Sequence, residues 1–310
     1  MTNTRSYTLR LSTKRQARFR SLRPSRSTSM TSASVIPPRF QAELDQHVVL
    51  NLAGTSTWPL VLGVFGRPGD GKSFQIRTHL ERRGVLVASI NAADLESDRA
   101  GQPGKLILSS YEDAGHRTSE GSPAALVVDD FDTTAGEWEQ STSTVNHQQV
   151  LAQLMHLADS PTEAAGTKLQ RIPVVITGND LSKIYPPLRR PGRMRSFLWL
   201  PNDSERQEVV EQILAPIADS AGTAQLLAAL PQAPIAFFSD LRMTMQALAV
   251  RSEIPKYASD LRAVVKDSAR VRQALDRHEQ KRRPSVAELL EQARTLWQNQ
   301  TLATRSYLSD

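Results

Sequence analysis

The sequence predicts an α/β fold, in which a parallel central sheet is flanked by helices and followed by an all-helical lid. Short apolar runs alternate with helical patterns between residues 60 and 180, as they do in sheets built from βαβ units. Three of these runs are followed by or end in glycine, aspartate or asparagine. In a parallel sheet, the residues at the carboxyl ends of the strands lie along one edge, where ligands bind. After Pro201 only helical periodicity remains, which places the lid in the last third of the chain.

The first apolar run, residues 60–65, leads directly into the pattern G-x-x-x-x-G-K-S. Its glycines allow backbone N–H groups to surround a phosphate chain at the start of a helix. In such a loop the lysine reaches the β- and γ-phosphates and the serine hydroxyl binds Mg²⁺. The pattern predicts a site for ATP and Mg²⁺ formed by Gly66, Arg67, Pro68, Gly69, Asp70, Gly71, Lys72 and Ser73.

A second run, residues 124–132, reads AALVVDDFD and places carboxylates at the end of a buried strand. It resembles the acid-ended strand of P-loop ATPases. That resemblance implies that Asp129 holds Mg²⁺ and that Asp130 polarises the attacking water. Asp132 is the alternative base. The plain alternative is that these acids only cap a strand end.

A third run, residues 172–180, ends in Asn179, whose amide can bond the γ-phosphate or the attacking water. Arg189, Arg190 and Arg193 follow in a turn bounded by proline and glycine. Such arginines are ordinarily solvated, but here they lie where an oligomeric ATPase inserts a guanidinium into its neighbour's site.

The remaining pattern predicts a strand at 85–90 and polar loops at 94–104 and 133–143. Amphipathic helices are expected at 40–51, 73–83, 105–116, 145–158, 204–214, 221–230 and 239–252, and a capping box at Ser285 opens a last helix through 296. Arg242, on a lid helix, is placed to sense bound nucleotide. The expected organisation is a tail at 1–34, a nucleotide-binding domain at 35–200 and a helical region at 201–310.

Composition excludes several classes of function. The 310 residues contain no cysteine, which excludes disulfides and thiolate metal sites, and no apolar run approaches the length of a membrane span. The formal charge of +6 comes from the tail, because removing the eight lysines and arginines of residues 1–34 leaves −2. A body without a basic face argues against nucleic acid as a partner.

The tail itself allows several interpretations. It is rich in arginine and serine and lacks acids, as in an organellar transit peptide. A solvated tail, an upstream start-site artefact and an arm for an anionic partner remain alternatives. The expected location is therefore the cytoplasm or the chloroplast stroma.

The ordered set of P-loop, acid-ended strand, asparagine-ended strand, arginine turn and helical lid resembles the AAA+ ATPases. Within them, the runs at 69–75, 94–107, 144–162 and 171–194 are similar to the Rubisco activase family of plants and cyanobacteria. That resemblance implies an ATP hydrolase that forms hexameric rings and remodels Rubisco, releasing inhibitory sugar phosphates. The alternative within the same fold is a chaperone that remodels another complex, and more distant ones are a non-catalytic scaffold and a nucleic-acid-binding ATPase.

The resemblance also assigns residues. It makes Asp130, Asn179, Arg190 and Arg193 catalytic, with the two arginines acting on the neighbouring subunit, and Arg242 the lid sensor. Plant activases usually have asparagine where Asp129 stands, so this chain restores a metal carboxylate. The central pore would be lined by the loop at 133–142 and by Leu95, Glu96, Ser97, Asp98 and Arg99 in the loop ending at Gly101. Compared with the family pattern, we expect from this sequence no patterned N-terminal domain, no redox-regulated tail and no fused small-subunit-like domain.

Overall fold

The computed structural model describes residues 34–95, 102–134, 145–164, 167–281 and 283–303. The strands are β1 (Val61–Phe65), β2 (Leu86–Asn91), β3 (Ala124–Asp129), β4 (Glu163–Ala164), β5 (Thr167–Lys168), β6 (Val174–Gly178) and β7 (Met194–Leu198). The helices before the lid are α1 (Pro38–Leu52), α2 (Lys72–Arg82), α3 (Ala92–Leu95), α4 (Gln102–Ser119), α5 (Phe131–Thr134) and α6 (Val145–Asp159), with a 3-10 turn at Leu181–Lys183. The later helices are α7 (Asp203–Leu214), α8 (Ser220–Ala229), α9 (Ile235–Val250), α10 (Ile254–Ala258), α11 (Leu261–Lys266), α12 (Ser268–Lys281) and α13 (Val286–Ala303).

The central sheet has five parallel strands in the order β2-β3-β6-β1-β7, which confirms the predicted fold class. β1 lies between β6 and β7, and Phe65 at its end is in register with Gly178 of β6. β3 lies on the other side of β6, with Val128 opposite Ile176. The segments that follow β1, β3 and β6 therefore leave the sheet side by side at its carboxyl edge.

Each face of the sheet carries its own apolar core. On β1, Val61 and Phe65 face a core that includes Tyr111 of α4. Leu62 and Val64 face the opposite core, formed with residues of α1 and α2. The alternation of side chains along a strand produces this division, and burial on both faces explains why the strands read as continuous apolar runs.

The helices after the sheet enclose a third core, which α7, α8, α9 and α13 share. Its buried members begin at Val209, whereas those of the two sheet cores end at Met194 and at Trp199. The sequence pattern anticipated four of these helices, and the Ser285 hydroxyl accepts from the Glu288 backbone N–H at 3.2 Å as the capping box requires.

The edge strand β7 and the two-stranded sheet of β4 and β5 were not predicted from the sequence. β7 is difficult to read because it is an edge strand with little burial: Met194 is buried, whereas Arg195, Ser196 and Leu198 are exposed. Two predicted loops also begin differently, since α3 and α5 extend helical structure to Leu95 and to Thr134. The first turn of α9 was missed as well, because Pro234 provides a helix start that carries no polar capping side chain.

Candidate active site

The predicted phosphate-binding loop lies between β1 and α2, and Trp199 holds it in place. The Trp199 backbone N–H donates to the Phe65 carbonyl, and its indole N–H donates to the Asp70 carbonyl at 3.0 Å. A Cβ on Gly66 would lie 2.0 Å from the Trp199 carbonyl oxygen, so only glycine fits there. Gly69 and Gly71 have φ values of 81° and 77°, which other residues rarely adopt. The loop therefore has the curled backbone that its sequence predicts.

Lys72, the first residue of α2, points back across this loop. Its Nζ donates to the carbonyls of Gly66 at 2.7 Å and Arg67 at 3.0 Å, and to Oδ1 of Asn179 at 2.9 Å. Burial lowers the pKa of Lys72, and the neighbouring aspartates oppose that shift. The predicted lysine and the predicted strand-end amide thus meet directly, although they are far apart in sequence.

Thr177, near the end of β6, connects three predicted site residues and was not itself predicted. Its hydroxyl donates to Oδ1 of Asp129 at 3.1 Å and accepts from the Asp130 backbone N–H at 3.0 Å. The Ser73 hydroxyl lies 3.5 Å from it. Apart from its position in the third apolar run, no sequence signal identified this threonine.

The oxygen atoms around Thr177 are of the kind that Mg²⁺ binds. Ser73 and Asp129 offer a hydroxyl and a buried carboxylate, and P-loop sites complete the shell with water and phosphate oxygens rather than a protein cage. The donor set fits Mg²⁺ held jointly with a nucleotide.

Asp130 lies just beyond β3 in the left-handed region, at φ 53°. Aspartate tolerates this conformation better than most residues, and it turns the chain so that Asp130 is exposed while Asp129 is buried. Partial desolvation, followed by repulsion from Asp129 and Asp132, raises the pKa of Asp130. A raised pKa makes a carboxylate a better proton acceptor, as the predicted role of Asp130 requires.

Asp132 holds the segment after β6 in place. Its Oδ2 accepts the backbone N–H groups of Asn179 at 2.7 Å and Asp180 at 3.0 Å. A Cβ on Gly178 would approach the same carboxyl group to 3.0 Å. Oδ1 is buried and has no hydrogen-bond partner among the described residues. Because the other oxygen fixes the backbone of Asn179, we assign Asp132 a positioning role.

The arginine turn separates its two predicted catalytic arginines. Arg193 forms two 2.7 Å bonds to the Asp159 carboxylate and a third, at 2.9 Å, to the Pro187 carbonyl. Arg190 is exposed, and its guanidinium has no hydrogen bond or ion pair within the described part of the chain. Of the two predicted catalytic arginines, Arg190 is therefore the one whose guanidinium can reach another molecule without giving up bonds such as those of Arg193.

The P-loop also contacts the lid helix α9. The Asp70 carboxylate is buried, accepts from Arg67 at 3.1 Å and lies 3.5 Å from the Ile235 backbone N–H. The Ala236 N–H donates to the Gly69 carbonyl at 2.8 Å. The Asp70 side chain thus faces the lid, while its backbone N–H donates to the Arg67 carbonyl at 3.4 Å within the loop.

Two lid arginines are held by backbone carbonyls. Arg242, the predicted sensor on α9, donates to the Ile213 carbonyl of α7 at 3.3 Å. Arg206 was not predicted; it is buried, donates to the carbonyls of Leu230 and Ala233, and its pKa is lowered by burial. Arg242 thus connects α9 to α7, and Arg206 connects α7 to the segment between α8 and α9.

The predicted pore loop lies mostly outside the described residues. Glu96, Ser97, Asp98 and Arg99 fall there, as do residues 135–142 of the second loop. Leu95 ends α3 and is only 1% exposed, packed into one of the sheet cores. Its burial corrects the expectation that Leu95 belongs to an exposed gripping loop.

Comparison with known proteins gives consistent relatives. Residues 62–202 match the family described as "ATPase family associated with various cellular activities (AAA)". A ribulose bisphosphate carboxylase/oxygenase activase from Nostoc sp. is 34% identical over 89% of this chain and 68% of its own length. An activase from Anabaena sp. is 39% identical over 67% of this chain, and a chloroplastic activase from Larrea tridentata is 35% identical over 73% of it. The chain spans about half the length of these last two, at 52% and 49%. No helix in the described ranges is long and apolar enough to cross a membrane.

Proposed function

Because this chain belongs to the Rubisco activase family of AAA ATPases, a family of ATP hydrolases, we propose that it uses ATP hydrolysis to remodel Rubisco. The remodelling would release inhibitory sugar phosphates from Rubisco active sites. One observation carries the proposal: Lys72, Ser73, Asp129 and Asn179 converge at the carboxyl edge of one sheet. The compartment would be the one that contains Rubisco, either a cytoplasm or a chloroplast stroma.

In this proposal each residue has one task. Lys72 leaves its carbonyl partners for the β- and γ-phosphates, a charge-assisted exchange. Ser73 and Asp129 would hold Mg²⁺, which would neutralise charge on the phosphates. Asp130 accepts a proton from the attacking water, and Asn179 orients the γ-phosphate. Asp132 maintains the position of Asn179.

The proposed oligomer is a ring, in which the exposed Arg190 would reach the active site of the neighbouring subunit. A guanidinium that acts on a neighbour's γ-phosphate must be planar, charged and free to leave its own subunit. Arg190 meets these conditions, whereas Arg193 is held by Asp159 and would support the turn. The proposed nucleotide domain is residues 35–200 and the proposed lid is residues 201–310. The contact of Gly69 and Asp70 with α9 would couple the two.

The test is recovery of sugar-phosphate-inhibited Rubisco activity in the presence of the protein and ATP, with ADP as the negative arm. Lys72→Ala is the matched inactive variant, because it removes the main cationic partner of the phosphates. We expect recovery with the unmodified protein and ATP, and no recovery with Lys72→Ala or with ADP. ATP hydrolysis without recovery would reject Rubisco as the partner and favour a chaperone for another complex. Absence of nucleotide binding would reject the ATPase proposal itself.

A further inference from the structure

Arg77 occupies the proposed metal side of the active site, although no sequence pattern pointed to it. It lies on α2 four residues after Ser73, so both side chains project from the same helix face. Its Nη2 is ion-paired with Oδ2 of Asp129. A cation supplied by the chain itself therefore already stands at the carboxylate that would receive Mg²⁺.

Both oxygens of Asp129 are engaged in this arrangement. Oδ1 accepts the Thr177 hydroxyl at 3.1 Å, and Oδ2 accepts Arg77. The Asp129 side chain is 6% exposed and the Arg77 side chain 39% exposed. The guanidinium is thus the solvent-facing partner, and a divalent cation that binds Oδ2 must displace it.

Arg77 is held in a way that permits such displacement. Its Nε is buried and has no hydrogen-bond partner among the described residues. An unsatisfied buried donor reduces the benefit of the bound arrangement, because its hydration has been lost without replacement. The pair is consequently weaker than a bidentate arginine–carboxylate bridge, in which two N–H groups face two oxygens.

The charges around the pair explain why a resident cation is useful. The carboxylates of Asp129, Asp130 and Asp132 stand together at the carboxyl end of β3, and those of Asp129 and Asp132 are buried. Without a divalent cation, Arg77 at Asp129 and Lys72 beside Asn179 supply positive charge that offsets the repulsion between these carboxylates. We propose that Arg77 is the resident counter-ion of the metal site, which neutralises Asp129 when the site is empty and competes with the divalent cation for it.

This inference rests on the proposed Mg²⁺–nucleotide site and adds a positioning residue to it. A merely structural tie between α2 and β3 would predict that losing Arg77 either weakens metal binding or leaves it unchanged. Competition predicts the opposite sign. The direction of the change in metal affinity therefore distinguishes the two roles.

The experiment titrates Mn²⁺ into the protein bound to a non-hydrolysable ATP analogue and measures free Mn²⁺ by electron paramagnetic resonance. For Arg77→Gln we expect roughly fivefold tighter Mn²⁺ binding, the factor that corresponds to about 1 kcal/mol for a partly exposed ion pair. Arg83→Gln is the matched control, since Arg83 follows the same helix and pairs with Asp45 at 2.6 and 3.1 Å, away from the site. It should bind Mn²⁺ as the unmodified protein does.

A second measurement covers the metal-free protein. In EDTA without nucleotide, Arg77→Gln should melt at a lower temperature than the unmodified protein, and the difference should disappear when Asp129→Asn is present in both. Unchanged or weaker Mn²⁺ binding in Arg77→Gln overturns the inference and leaves the proposed function intact. If the unmodified protein binds neither the analogue nor Mn²⁺ with it, the proposed function fails first. If Arg77→Gln does not fold, Arg77→Met, which also removes the charge and keeps a side chain of similar length, replaces it and must bind Mn²⁺ more tightly.

Discussion

Acid should destabilise this fold through His47, which is fully buried on α1 beneath the sheet. The indole N–H of Trp58 donates to Nδ1 at 3.3 Å, so the ring carries its proton on Nε2 and donates it to the Val174 carbonyl at 3.1 Å. A second proton on Nδ1 would face the Trp58 donor and the amide of Asn51. Burial, and then the nearby Arg171 charge, lower the pKa of His47 to about 4.

The sign and size of the effect follow from linkage. The folded-state pKa lies below the value of 6.5 for an unperturbed histidine, so the unfolded chain takes up the proton first as the pH falls. The stability that neutral His47 provides is complete above pH 6.5 and is lost progressively between pH 6.5 and about 4. At 1.36 kcal/mol for each pH unit, the full cost is about 3 kcal/mol, of which about 2 kcal/mol is lost by pH 5.

Urea unfolding at pH 8, 6 and 5 measures this dependence. His47→Gln keeps a neutral amide donor for the Val174 carbonyl and removes the titrating ring, so its stability should fall by about 2 kcal/mol less than that of the unmodified protein. His116→Gln, at an exposed position on α4, is the control and should behave as the unmodified protein does. Equal pH dependence in His47→Gln and the unmodified protein would refute the reasoning.

Three further predictions concern the ATPase cycle. Asp130→Asn should bind the ATP analogue normally and lose turnover by about 10²- to 10⁴-fold, because the proton acceptor is gone while Asp129 remains; near-normal turnover would place the base elsewhere. Arg190→Ala should lose hydrolysis by about 10³-fold or more while each subunit keeps its nucleotide, and mixing it with Asp130→Asn should restore some activity. Verified mixed rings without any recovery would exclude action on the neighbour. Arg99→Ala should keep most ATPase activity and lose Rubisco recovery, and a loss of recovery merely proportional to ATPase activity would exclude a gripping role.

The sequence predicted which residues meet at the carboxyl edge of the sheet, because a simple physical rule connects apolar runs with the arrangement of parallel strands. Apolar runs buried on both faces become neighbouring parallel strands, and whatever follows them meets at one edge. Gly66, Asp129 and Asn179 each follow such a run, and the structure brings them together. No comparable rule applies to β7, whose exposed Arg195 interrupts the apolar pattern.

The sequence could not predict the hydrogen-bond and ion-pair partners of the polar side chains in the site. Thr177, Arg77 and Asp132 lie inside or beside the predicted motifs, yet their roles depend on distances between strands and helices that are far apart in sequence. Leu95 illustrates the opposite error, because a polar and glycine-rich neighbourhood indicated a loop while its own side chain packs into the core. Local composition gives the average environment of a segment, and tertiary packing decides the environment of one residue.

The same distinction separates the arginines that the sequence treated alike. For Arg193 to act on a neighbouring subunit it must give up two charge-assisted bonds to Asp159 and one to the Pro187 carbonyl. The bonds to Asp159 are partly exposed, so their loss costs only about 1 kcal/mol, but it also frees the turn that carries Arg190. Arg190 gives up no bond within the described residues, and it gains most from a rigid turn because a guanidinium must meet a phosphate in one orientation. Arg193 is therefore better used as the support of Arg190 than as a second catalytic group.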